Sequence, residues 1–166
     1  MITRIPSLPR SGGMHQAAPT LKPKQVFARD DAAGMAKEPA TPARILIVED
    51  DFLVAIDVET ALLDAGFNVV GIAESADRAV EFAALQKPAL ILMDIRLAGG
   101  GDGIDAAIRI YREHGIRCVF ASAHTDTIAR SRAELAQPLG WLQKPYTMGG
   151  LVDAVKQALS NKSDQS

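Results

Sequence analysis

Residues 88–103 read PALILMDIRLAGGGDG. Ala89 to Met93 form an unbroken apolar run that leads straight into Asp94, and a glycine-rich stretch follows. An apolar run of this length, opened by Pro88 and closed by glycines, reads as a strand buried on both faces in the middle of a parallel sheet. In open α/β sheets the ligand crevice lies beyond the carboxyl ends of the strands. Asp94 therefore stands where such a sheet does its chemistry. A carboxylate at the tip of an apolar strand is costly to desolvate unless it is paired or holds a metal ion.

The segments on either side alternate in kind. Arg44-Ile45-Leu46-Ile47-Val48 is a short β-branched strand that ends in Glu49, Asp50 and Asp51. Helical spacing of Val54, Val58, Ala61, Leu62 and Ala65 predicts a helix over 52–65, stopped by Gly66. Asp51 is a candidate N-cap for it. A second strand over 67–73 leads to a helix capped by Ser75 and running to residue 86. Beyond the glycine loop, Ile104, Ala107, Ile108 and Tyr111 mark a helix over 103–114. A strand over 117–121 comes next, then a weaker helix over 125–135. A short strand over 141–143 precedes Lys144-Pro145, and a last helix covers 147–159. Strand and helix in strict alternation with short connections predict an α/β fold. The expected architecture is a doubly wound, five-stranded parallel sheet of flavodoxin-like order 2-1-3-4-5, with a crevice between strands 1 and 3.

Bulk properties narrow the function. The formal net charge of the 166 residues is −2, which leaves no basic footprint for nucleic acid or an anionic membrane. No stretch approaches the roughly 18 apolar residues of a membrane span. No apolar core follows Arg4, so a secretory signal is not expected. The single cysteine, Cys118, lies in an apolar run and reads as a small buried hydrophobe in a reducing, cytoplasmic setting. Residues 1–43 differ from the rest. Pro6, Pro9, Pro19, Pro23, Pro39 and Pro42 break every period there, and basic residues outnumber acidic ones, so a disordered extension is expected. Met14 and Met35 are alternative start positions within it. The folded domain is expected over 44–160, with a polar end over 161–166.

At the strand ends a set of reactive groups converges. Strand 1 delivers Glu49 and Asp50, strand 3 Asp94, strand 4 Ser122 and strand 5 Lys144. Clustered carboxylates repel one another unless a hard divalent cation sits among them, and oxygen-only ligands suit Mg2+. Such a cation can also neutralise an incoming phosphoryl group. Lys144 can bind a second phosphoryl oxygen, and Ser122 can donate to a third. Asp94, kept ionised by its neighbours, can act as the nucleophile. Backbone amides just after Asp94 can add donors.

Residues 44–160 resemble the receiver domain of two-component response regulators, in its stand-alone form. The resemblance rests on Ile45-Leu46-Ile47-Val48-Glu49-Asp50-Asp51, Leu92-Met93-Asp94, Gly103, Ser122-Ala123 and Lys144-Pro145, all in family order. It implies that Asp94 is the phosphoacceptor and Lys144 the phosphate-binding lysine, after which a cis Pro145 bond is expected. It implies Asp50 as direct Mg2+ ligand, Glu49 as the acid that holds Mg2+ through water, and the Arg96 carbonyl as a further ligand. Ser122 becomes the switch hydroxyl and Trp141 the switch aromatic. Arg96 and His124 fall where side chains would flank attacking water and set the phosphoryl lifetime. The implied phosphodonor is a sensor histidine kinase or a histidine phosphotransfer protein.

Two features depart from the family pattern. Leu97 replaces the usual proline, and Trp141 replaces Tyr or Phe. Phe120-Ala121-Ser122-Ala123 is similar to the Phe-Ala-Thr-Gly motif of an alphaproteobacterial stand-alone subclass tied to general stress signalling, with Ser for Thr and Ala for Gly. With few residues after the last helix, output is expected through an unknown downstream protein, through homodimerisation on the helix 4–strand 5–helix 5 face, or as a phosphate sink for a kinase. A phosphorylation-independent scaffold is the main rival reading, but a scaffold has no need of the acids or Lys144. A phosphohydrolase needs an acid two residues after the nucleophile, where this chain has Arg96, which cannot donate a proton at neutral pH. Apart from turning over its own aspartyl phosphate, no enzymatic activity is expected.

Overall fold

The computed structural model describes residues 41–123 and 127–163. The N-terminal extension up to residue 40, His124 and residues 164–166 lie outside the described residues. The strands are β1 (Arg44–Val48), β2 (Asn68–Ala73), β3 (Leu90–Asp94), β4 (Cys118–Ser122) and β5 (Gly140–Gln143). The helices are α1 (Phe52–Asp64), α2 (Ala76–Gln86), α3 (Gly103–His114), α4 (Thr127–Ala133) and α5 (Met148–Ser163). All strand pairs are parallel, in the order β2-β1-β3-β4-β5.

The apolar run leading into Asp94 forms the central strand β3. Every residue of β3 is buried, as is every residue of β4, while the edge strands β2 and β5 are only partly covered. Each large apolar side chain taken fully out of water contributes about 1.5–3 kcal/mol, so the strongest strands are those with both faces covered. On one face Leu46, Val48, Ile91, Met93 and Phe120 pack with residues of α2 and α3 and with Ala133 of α4. On the other, Ile45, Ile47, Leu90, Leu92 and Val119 meet Val58 and Leu62 of α1 and Leu151, Val155 and Ala158 of α5.

Several boundaries shift from the sequence expectation. Asp94 and Ser122 are the last residues of β3 and β4 and remain in ladder register, Asp94 opposite Ala121 and Ser122 opposite Gln143. The polar side chains are thus carried by the sheet itself and not by loops beyond it. The expected helix over 125–135 is described as α4 followed by a 3-10 turn over Glu134–Ala136. The buried stripe of α3 centres on Ile104, Ala107 and Ile110, with Ile108 and Tyr111 only half-buried, because α3 has α2 on one side and α4 on the other. The last helix runs four residues past its expected end, into the expected polar tail, and Lys162 Nζ donates to the Ala89 carbonyl at the entry to β3 (2.8 Å).

Asp51 is the N-cap of α1. Its Oδ1 accepts from the amides of Leu53 (2.9 Å) and Val54 (3.2 Å). This cap directs the chain away from β1 immediately after the two site acids. Asp51→Ala removes it and is expected to cost about 1 kcal/mol, read as a fall in the urea midpoint without a change in the denaturant slope.

Candidate functional site

Three carboxylates and one ammonium meet at the carboxyl edge of the sheet. Glu49 follows β1 directly and is held in place by its amide, which donates to the Ala73 carbonyl (3.0 Å). Asp94 closes β3. Both residues are buried, at 7% and 8% exposure, whereas Asp50 faces solvent. One carboxylate oxygen from each of Glu49, Asp50 and Asp94 lies within 4.8 Å of the others. Lys144 arrives from the end of β5, where its amide donates to the Ser122 carbonyl (2.9 Å). Its Nζ donates to Asp94 Oδ2 (2.6 Å) and Glu49 Oε2 (2.8 Å). The Lys144–Pro145 peptide is cis.

The electrostatics follow from this geometry. Burial raises the Glu49 pKa above its ordinary value and Asp94 adds to the rise, while the hydrogen bond from Lys144 opposes it. Burial by itself would lower the Lys144 pKa; the hydrogen bonds and negative charges of Asp94 and Glu49 outweigh it and hold the ammonium above the usual lysine range. Lys144 thus stays charged and compensates two half-desolvated acids. The oxygen donors not bound to Lys144 belong to three carboxylates, one of them open to solvent. That donor set fits a hard divalent cation that retains water, as Mg2+ does.

Asp94 is gripped at both oxygens. Oδ2 takes Lys144, and Oδ1 accepts from the Arg96 amide (3.1 Å). This amide is one of the donors expected after Asp94, and in this structure it orients the carboxylate itself. The loop that follows is closed tightly. Arg96 pairs with Asp102 in an isolated antiparallel bridge, and the Leu97 amide donates to the Gly101 carbonyl (3.2 Å). Gly99 and Gly100 adopt positive φ (73° and 80°), so two of the three loop glycines are used for conformations other residues resist. Leu97, at the usual proline position, is buried and packs with Ala76 and the α3 side of the core.

The other candidate residues are placed as follows. Ser122 is buried at the end of β4, next to β3. The Arg96 side chain is exposed, and its backbone reaches the site. Trp141 sits within β5, half-buried, against Phe120 at a ring-centroid distance of 4.9 Å. It is on the sheet face of α2, α3 and α4.

Two supports lie beside these residues: Gly103, which the resemblance named without a physical role, and Asp102, which the sequence reading missed. Gly103 starts α3 so close to β3 that an added Cβ would stand 2.0 Å from the Asp94 carbonyl oxygen. Asp102 caps α3 through the Ile104 amide (2.8 Å) and also receives Arg132 of α4 (2.7 Å). An Asp directly before a helical run is an N-cap signal that was available. The partnership with Arg132, thirty residues on, leaves no local trace.

Residues 45–156 match the response regulator receiver domain family. The transcriptional regulatory protein PdtaR of Mycobacterium tuberculosis is 36% identical over 121 residues, which cover 73% of this chain and 58% of that protein. The phyllosphere-induced regulator PhyR of Methylorubrum extorquens is 34% identical over 132 residues, 79% of this chain and 46% of that protein. The signal receiver domain of a modulated diguanylate cyclase from Desulfovibrio desulfuricans G20 superposes with a TM-score of 0.69 at 29% identity, covering 75% of this chain and 99% of that one. The chain spans about half the length of the curated relatives it matches. A parallel sheet of this order, the acids gathered at its carboxyl edge and these matches agree: the chain belongs to the response regulator receiver domain family.

Proposed function

We propose that this protein is a response regulator that accepts a phosphoryl group on Asp94 from a sensor histidine kinase or a histidine phosphotransfer protein. The observation that carries the reading is the double grip on Asp94, by the Lys144 ammonium at one oxygen and the Arg96 amide at the other, inside a three-carboxylate cluster. In the transfer an Asp94 oxygen forms the new O–P bond. The P–N bond of the donor's phosphohistidine breaks, and the imidazole keeps that electron pair and takes a proton from solvent. In this reading Lys144 follows the phosphoryl oxygen as charge moves outward from the carboxylate. Ser122, at the neighbouring strand end, donates to a further phosphoryl oxygen. Glu49, Asp50, Asp94 and the Arg96 carbonyl would hold Mg2+. Bound there, Mg2+ supplies charge neutralisation for the incoming group.

A protein donor is supported by the surface beside the site. Phe52 and Leu53 are exposed at the start of α1. Val54, Ala123, Pro145, Tyr146 and Met148 line a groove of about 380 Å3 that includes Lys144. An apolar surface bordering the reactive carboxylate suits a partner that must dock before it transfers. In this reading residues 44–160 form the receiver domain, residues 1–43 are an extension, and the protein acts in the cytoplasm; among the described residues no helix is long and apolar enough to cross a membrane. Output runs through the α4–β5–α5 face, to a downstream protein or a second copy of the chain. Arg96 and His124 set the phosphoryl lifetime.

The test uses a promiscuous histidine kinase autophosphorylated with labelled ATP. Label is expected to move from the kinase to this chain when Mg2+ is present and to be released by hydroxylamine, which cleaves acyl phosphates. Label that stays on the kinase, or that resists hydroxylamine on this chain, would contradict the reading.

A further inference from the structure

The helix α4 is poorly anchored by apolar packing. Its buried residue is Ala133, followed by Ala136 in the adjoining turn, while Ile128 and Leu135 are 73% and 55% exposed. Two arginines reach from it to the rest of the fold. Arg132 Nη2 donates to Asp102 Oδ2 and Asp105 Oδ1, both at 2.7 Å. Arg130 places its guanidinium carbon 4.7 Å from the centroid of the Trp141 ring. That ring also stacks on Phe120, its direct partner across the β4–β5 ladder. Ser122, Arg130, Trp141, Leu142 and Gln143 together line a cavity of about 150 Å3. Ser122, Trp141 and Arg130 thus border one void.

We propose that Arg130 is a positioning residue for Trp141: it holds the indole beside the Ser122 cavity, so that the place of the ring and the attachment of α4 are linked. Indole is the best ring for a cation–π contact, and the contact strengthens where water is excluded. Trp141 is half-buried and also packed on Phe120, so the guanidinium restrains a ring whose other anchor is the sheet. A shift of Ser122 changes the void the indole borders. A ring that follows must slide relative to Arg130, and α4 then loses the Arg130 contact. This second step rests on Asp94 as phosphoacceptor; the first does not.

Trp141 is the only tryptophan of the chain, so its fluorescence reports this contact directly. In the unmodified protein Arg130→Ala is expected to raise the acrylamide quenching constant about twofold, and Arg130→Lys, which keeps a cation over the ring, to fall between. Arg132→Ala removes the contacts to Asp102 and Asp105 while leaving Arg130 over the indole, and is expected to raise quenching less than Arg130→Ala does. Far-UV circular dichroism checks that each variant is folded; should Arg130→Ala not fold, Arg130→Lys against Arg132→Ala decides. The same spectra are then compared with Mg2+ and acetyl phosphate at equal phosphoryl occupancy by intact mass. There Arg130→Ala is expected to lose more than half of the phosphorylation-dependent change in emission. Unchanged quenching in both Arg130 variants, or an equal effect from Arg132→Ala, would overturn the proposal. Absence of phosphoryl gain in the natural protein would count against the Asp94 reading alone, since quenching in the unmodified protein already decides the role of Arg130.

Discussion

Lys144→Met should slow phosphorylation of Asp94 by about 100-fold, the usual cost of removing one donor to developing oxyanion charge. The same change should tighten Mg2+ binding, by about tenfold if the lost repulsion acts at an effective dielectric near that of a protein surface. The two effects have opposite signs because one ammonium does two things. It sits 2.6 Å from Asp94 Oδ2 and 2.8 Å from Glu49 Oε2, where it compensates the acids that a cation would otherwise neutralise. In the proposed transfer it is also the charge that follows the phosphoryl oxygen. Calorimetric titration with Mg2+ and phosphorylation by acetyl phosphate under saturating Mg2+ separate them. Methionine reproduces the apolar stem of lysine without the ammonium, so the packing beside Pro145 is disturbed little. Weaker Mg2+ binding together with slower phosphorylation would show that Lys144 organises the acids instead of competing for them.

Gly103→Ala should destabilise the domain by about 3 kcal/mol or more, lowering Tm by roughly 10 °C for a folded region of this size. The added Cβ would meet the Asp94 carbonyl oxygen at 2.0 Å, the Asp94 carbonyl carbon at 3.0 Å and Ile95 Cα at 3.1 Å. All three are backbone atoms, so no flexible side chain can give way. The strain falls on the residue whose carboxylate Lys144 holds. Phosphorylation of the fraction that remains folded should therefore fall as well, since small displacements of a positioned group cost rate steeply. Gly101→Ala is the control. Gly101 has φ −69°, and a Cβ there would meet Ala76 Cβ at an ordinary 3.4 Å. Its effect should stay within about 0.5 kcal/mol.

The contrast between these glycines shows what the sequence could and could not convey. The run 89–94 announces a buried central strand because five apolar residues followed by an acid and glycines fit little else, and the structure has β3 in the middle of the sheet. Glu49, Asp50 and Lys144 were legible because each follows a short apolar strand, and a parallel sheet brings all strand ends to one edge. The glycine-rich loop was legible as a loop, and the resemblance singled out Gly103, but no local pattern gave the physical reason for it. Gly99 and Gly100 are needed for backbone conformation, whereas Gly103 is needed because α3 presses on the Asp94 peptide, a contact between segments that no local pattern encodes. The grips of Arg130 and Arg132 were invisible for the same reason. Two exposed arginines on a helix with few large apolar residues read as a solvated face, and only the fold brings Trp141 and Asp102 beneath them. The strand ends were placed one residue early at Asp94 and Ser122, since polar residues mark a loss of apolar pattern although the ladder continues through them.

Whether Asp94 takes the phosphoryl group is decided by intact mass after incubation with Mg2+ and acetyl phosphate, for the natural protein and Asp94→Asn in parallel. A gain of one phosphoryl group is expected in the natural protein, lost when Mg2+ is chelated beforehand, and none in Asp94→Asn. An equal gain in both proteins would place the phosphoryl group on another residue and rule out Asp94 as the acceptor.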